Sequence, residues 1–215
     1  MPIVSALAAL LAACASGPPP PDWQANAKDS MDRALAAYLE GDTRVADAEF
    51  DRARGAVART GRADLLARAE LMRCAARVAS LVFGPCEGFE RLRPDAPAAE
   101  RAYADFLAGR IQPQDIALLP PAQRDAAAAG AEAAAAAVQA ISDPLARLVA
   151  AGVLFESGRA SPTVMSLAAD TASAQGWRRP LLAWLYVQAL RAEKAGEVAE
   201  AERLRRRIGI VEQGK

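Results

Sequence analysis

Alanine recurs along this chain at helical spacing, and single glycines interrupt it at intervals. Only 5% of the residues are aromatic, and β-branched runs are few. Such a chain cannot fill a core with bulk. It can only bring thin helices close together. The pattern predicts an all-α fold of antiparallel helical hairpins, and no alternating strand pattern competes with it.

The stops are legible. A first helix is expected from Ala27 to Glu40, ended by Gly41, and a second from Thr43 to Arg59 with Ala46, Phe50, Ala53 and Val57 on one face. Gly61 separates these from a third, Ala63 to Val82. Leu65, Ala69, Met72 and Ala76 form one apolar face of it, and Leu71, Cys74, Val78 and Leu81 another, so it should lie sandwiched between neighbours. Gly84-Pro85 breaks the chain. Another helix is expected between Pro94-Asp95 and Ala108, then an irregular stretch from Arg110 to Pro121, then a poly-alanine helix from Ala122 to Ala140. Asp143-Pro144 and Ser161-Pro162 combine an N-cap residue with proline at the first helical position. Two last helices, Pro180 to Ala195 and Glu197 to Ile208, flank Gly196.

The first and last hairpins superimpose when counted from their turn glycines, Gly41 and Gly196. Ala34 and Ala189 fall seven residues before, Ala37 and Ala192 four before, and Ala46 and Ala201 five after. This resembles the tetratricopeptide helix-turn-helix, in which small residues sit where two helices cross. Asp42, Phe50 and Ala53 extend the match in the first hairpin, and Arg205 and Ile208 depart from it in the last. The resemblance implies a tetratricopeptide-like α-solenoid, irregular in the middle.

Ahead of the helices, an apolar run from Ile3 to Ala13 ends in Leu11-Ala12-Ala13-Cys14. It resembles the lipobox of bacterial lipoproteins. The resemblance implies a signal peptide over residues 1–13, removal of that peptide, and lipidation of Cys14 as the new N-terminus. No Lys or Arg precedes Lys28, so the basic start of such a signal is expected upstream. Ala15-Ser16-Gly17 and Pro18 to Pro21 read as a stiff stalk, with residues 14–25 as the linker and 26–213 as a single helical domain. Gram-negative family rules place an inner-membrane retention signal at the residue after the cysteine. Ala15 there implies the outer membrane, facing the periplasm, with the lipid as the membrane contact and an envelope protein as partner.

Composition excludes several chemistries. The chain has no histidine, which removes Ser-His-Asp and Cys-His sites and the usual metal-ligand sets. No cofactor or metal is expected. Lys+Arg and Asp+Glu balance at 26 each, which gives no electrostatic case for nucleic acid. Cys74 and Cys86 are candidates for a disulfide in an oxidising compartment, the alternative being one buried and one loop thiol.

Two clusters invite functional readings. Phe155-Glu156-Ser157-Gly158 resembles the Glu-Ser pair of lytic transglycosylases, which cleave peptidoglycan with one glutamic acid. That family's following Gly-Leu-Met-Gln has no counterpart nearer than Ser166-Leu167-Ala168-Ala169. The plain expectation for Glu156 is therefore a surface carboxylate at a helix end. Trp177-Arg178-Arg179 has the composition of a binding hot spot, or of a Trp plugging a gap between helices beside solvated arginines. The function expected is a non-catalytic interaction scaffold, with a peptidoglycan-directed role of Glu156 as the alternative.

Overall fold

Helix α1, Asp22–Glu40, ends where Gly41 takes φ 109°, a left-handed conformation that glycine adopts without a Cβ clash. The Gly41 and Asp42 amides close back on the Ala37 carbonyl, and the Asp42 carboxylate then caps α2 by accepting from the Val45 amide at 3.0 Å. The computed structural model describes residues 21–214, and every regular element among them is helical. After α2 (Thr43–Ala58) come α3 (Ala63–Ala79), a single turn α4 (Glu87–Glu90) and α5 (Ala98–Leu107). Then follow α6 (Pro121–Ala128), α7 (Ala134–Ala140), α8 (Pro144–Glu156), α9 (Pro162–Ala174), α10 (Arg178–Lys194) and α11 (Val198–Gln213). Asp143 and Ser161 cap α8 and α9 through their side chains, as their sequence context predicts.

The two hairpins matched by sequence share their packing. Ala34, Ala37 and Ala46 are buried in α1–α2, as are Ala189, Ala192 and Ala201 in α10–α11. Gly41 and Gly196 both have positive φ. The first hairpin nevertheless meets α10. Arg179 on α10 donates to the Tyr38 carbonyl at 2.5 Å and to the Thr43 hydroxyl at 2.7 Å, joining α10 to the α1–α2 turn. In an open solenoid each hairpin touches only its neighbours in sequence.

Several boundaries differ from expectation. The linker ends earlier, because α1 already begins at Asp22 after the extended Pro21. The third helix stops at Ala79 rather than Val82. There Leu81 takes φ 57°, its amide bonds the Val78 carbonyl, and the Val82 amide reaches back to Arg77. The poly-alanine segment is two helices. Ala129 is extended, Gly130 follows it, and the Arg159 guanidinium takes the Ala129 carbonyl that a continuous helix would have used. Gly130, about 1 kcal/mol less favourable in a helix than alanine, lies at that break. Within the stretch 110–121, a 3₁₀ turn at Pro113–Leu118 delivers Leu119 into the core.

The core lies between α3, α8, α9 and α10. Trp184 is fully buried, and its indole N–H donates to the Ala79 carbonyl at 3.1 Å. Phe155 meets the Trp184 ring edge-on and Phe83 stacks on Phe155. Backbones come close at Gly152 on α8, where an added Cβ would lie 2.3 Å from the Val78 carbonyl oxygen of α3.

Around this core runs a series of arginine–glutamate pairs linking helices. Arg33 of α1 holds Glu49 of α2, Arg54 of α2 holds Glu70 of α3, and Arg68 of α3 holds Glu100 of α5. The carboxylates are buried and the guanidiniums reach solvent. The hydrogen bond from Arg33 lowers the Glu49 pKa, with the charges of Arg33 and Arg52 adding to it against the cost of burial.

Gly152→Ala is expected to destabilise the protein by about 2–4 kcal/mol, because backbone rather than a flexible side chain meets the new methyl. Gly209→Ala, in α11 with nothing within 4 Å of its Cβ, should stabilise by roughly 0.5–1 kcal/mol. Urea unfolding of both variants tests the pair. A Glu49 carboxyl with a lowered folded pKa contributes stability above its unfolded value of about 4.3, and that contribution is lost as pH falls through the folded value. Melting temperatures followed from pH 7 to pH 3 should therefore fall less steeply in Glu49→Gln, from a lower starting point.

Candidate functional site

Helix α3 ends in a strap that folds back over its own last turns. Leu81 reverses the chain, Gly84 takes φ 143°, and Pro85 leads to Cys86. Cys86 lies at disulfide distance from Cys74 in the middle of α3, with 5.9 Å between the Cα atoms. That separation is ordinary for a disulfide. The folding-back that the spacing of the two cysteines requires is therefore present, and Leu81 and Gly84 make it.

The strap divides two cavities. One, of about 410 Å³, lies on the α5 and α8 side and is walled by Val78, Val82, Phe83 and Leu107, with Glu156 at its edge. The other, of about 670 Å³, lies on the α2 side and is lined by Phe50, Arg54, Arg73, Arg91, Asp51 and Glu87. Cys74, Arg77, Pro85 and Cys86 border both.

Charge in the larger cavity is partly committed. Arg54 is held by Glu70, and Arg73 lies over the Phe50 ring at 4.6 Å while pairing with Asp47 at 2.7 Å. The Glu70 carboxylate presses against the strap side, since a Cβ on Gly88 would fall 2.0 Å from it. Glycine at position 88 is thus what lets the buried Glu70 carboxylate and α4 share the space.

Glu156 stands exposed at the end of α8, beside the smaller cavity. The Ser157 hydroxyl is turned inward and donates to the Val153 carbonyl at 2.8 Å. The two residues therefore do not face a common point. Glu90, also beside this cavity, has its pKa lowered first by the hydrogen bond from Arg93.

Trp177, Arg178 and Arg179 do not form one exposed patch. Trp177 is half-buried against the main core, and its backbone caps α10. Arg178 lies close to the Gly41 turn, its nearest approach being 3.5 Å from a Cβ built there. Arg179 lies over the Tyr38 ring at 4.3 Å and bonds the α1–α2 turn. Burial raises the Tyr38 pKa, and the Arg179 charge opposes that rise. Cys14 falls outside the described residues.

Sequence reasoning passed over Arg77 and Phe83. Their signal was present: Arg77 follows Cys74 by three residues and so shares its face, and Phe83 directly precedes Gly84-Pro85. Among the described residues no group of His, Cys, Asp and Glu is placed to hold a metal ion, and no helix is long and apolar enough to cross a membrane. No protein-family model, curated protein or solved structure matches the chain.

The Cys74–Cys86 link closes a short loop, with a sequence separation of 12, which corresponds to about 3 kcal/mol on the chain-entropy model. Reduction, or Cys86→Ala, is expected to lower stability by that order. Hydrogen exchange should rise in residues 80–91 while α8 to α10 stay protected. Thiol titration of the unfolded, unreduced protein should find neither cysteine free.

Proposed function

We propose that the chain is an envelope lipoprotein, tethered through Cys14 to the outer membrane, whose tetratricopeptide-like hairpins form an interaction scaffold for a periplasmic protein. The observation that carries this proposal is the larger cavity beside the strap. It is open, polar, and built from α2, α3 and α4 together, so its shape depends on the fold rather than on one loop. Exposed charges of both signs, Asp51, Glu87 and Arg91, stand at its edge. Such an edge suits a protein surface, where complementary charges set register and encounter rate. The Cys74–Cys86 pair fits an oxidising compartment. The buried alanines at matching positions in the two hairpins support the tetratricopeptide-like likeness, with the Arg179 clasp drawing the two ends together.

Crosslinking in intact envelopes, followed by purification of the lipidated protein, should recover one stoichiometric partner. Arg91→Glu and Asp51→Lys, both at exposed positions, should reduce that recovery without lowering the melting temperature. Cys14→Ser should leave the protein out of the membrane fraction. Unchanged membrane retention would overturn the anchor, and recovery of no partner would overturn the scaffold. Peptidoglycan-degrading activity in a zymogram, lost in Glu156→Gln, would replace the scaffold with the catalytic alternative.

A further inference from the structure

The smaller cavity pairs hydrocarbon walls with a guanidinium that makes no ion pair among the described residues. Val78, Val82, Phe83 and Leu107 line it, and Val82 remains 41% exposed at its mouth. Two charged residues at its edge are already held: Glu90 by Arg93 at 2.7 Å, and Arg110 by Asp105 at 2.9 Å. Arg77 is different. It makes no ion pair or side-chain hydrogen bond among the described residues, and the strap positions it, with Nη2 3.6 Å from a Cβ built on Gly84. Glu156, on the same cavity, is exposed and equally without an ion-pair partner among the described residues.

We propose that this cavity captures the C-terminal end of a protein chain. An apolar last side chain enters between Val78, Phe83 and Leu107, and the terminal carboxylate pairs with Arg77. A planar guanidinium takes a carboxylate through two parallel hydrogen bonds, and C-terminal carboxylate capture is a recurring recognition mode. The volume of about 410 Å³ accommodates one or two residues and no folded element. Glu156 decides between a peptide and a fatty acid, the other apolar carboxylate. Its oxygens accept from backbone N–H groups or a basic side chain, and a hydrocarbon chain offers neither. The proposal rests on the scaffold function above and supplies its ligand chemistry.

Fluorescence anisotropy tests it with fluorescein-labelled pentapeptides ending in each apolar residue, as free acids and as carboxamides. The unreduced protein should bind a subset of the free acids and bind the matching carboxamides about tenfold or more weakly. Arg77→Met should lower free-acid affinity by a similar factor and leave carboxamide binding unchanged, while Arg77→Lys restores part of it. Val82→Asp, at an exposed position, should abolish binding while helicity and melting temperature hold. Equal binding of acids and carboxamides, or no binding of any peptide, would overturn the proposal. Saturable binding of oleate without any peptide would reassign the cavity to a fatty acid. If peptides fail but the envelope crosslink sensitive to Arg91→Glu persists, only chain-end capture falls; if both fail, the scaffold falls with it.

Discussion

The last two turns of α3 hold the molecule in register. A helix ends with carbonyls that lack partners within it, and a buried end must place them elsewhere. Here the strap that follows takes two of them and a distant helix takes a third. The Ala79 carbonyl accepts the Trp184 indole from α10, Val78 accepts the Leu81 amide, and Arg77 accepts the Val82 amide. The same turns receive α8 at Gly152, close enough that no larger residue fits. Three long-range choices are thus fixed at one helix end: where α8 crosses, how α10 is rotated, and where the strap turns back. Leu81 adopts its left-handed conformation in that setting, where the surrounding bonds outweigh a cost of roughly 1–2 kcal/mol.

Alanine explains why so much depends on so few contacts. Each buried alanine removes little apolar surface from water, so close helix approach rather than bulk carries the packing. The few aromatic residues act as local keystones, as in the Phe83–Phe155–Trp184 stack. Where side chains are too short to set the spacing between helices, the arginine–glutamate pairs set it. Burying a carboxylate opposes folding unless it is paired. Glu49, Glu70 and Glu100 therefore penalise any docking of α1, α2, α3 and α5 that misplaces their arginines. Specificity of arrangement, more than net stability, is what such pairs contribute.

Helix identity and most helix starts were readable because caps and glycines act locally. Asp42, Asp143 and Ser161 each cap the helix that follows them, and Gly41 and Gly196 turn the chain where the hairpin alignment puts them. Two of the misjudged boundaries involve distant partners: Arg159 bonds the Ala129 carbonyl where the alanine segment breaks at Gly130, and Cys86 lies against Cys74 just past the shortened α3. For Trp177-Arg178-Arg179 the local composition left a hot spot and a gap-plugging Trp both open, and its contacts are made far along the chain. Arg179 is occupied by a turn more than a hundred residues earlier in the chain, which no local pattern announces. Of the candidate site, the cysteine pair was legible from count and spacing. The cavities were not, since their walls come from α2, α3, α5 and α8, and only the fold brings these together.

The clasp and the strap divide the molecule into a closed side and an open one. Arg179 joins α10 to the first hairpin, so the ends of the helical array lean on each other and the surface between them is spent on internal contacts. On the other side, the Cys74–Cys86 pair ties the start of α4 to the middle of α3, and the strap between them borders a cavity on either flank. Arg77 borders both cavities, so loss of the link would reposition the one guanidinium shared by the two spaces. The shape of both cavities is thereby tied to the Cys74–Cys86 pair that borders them.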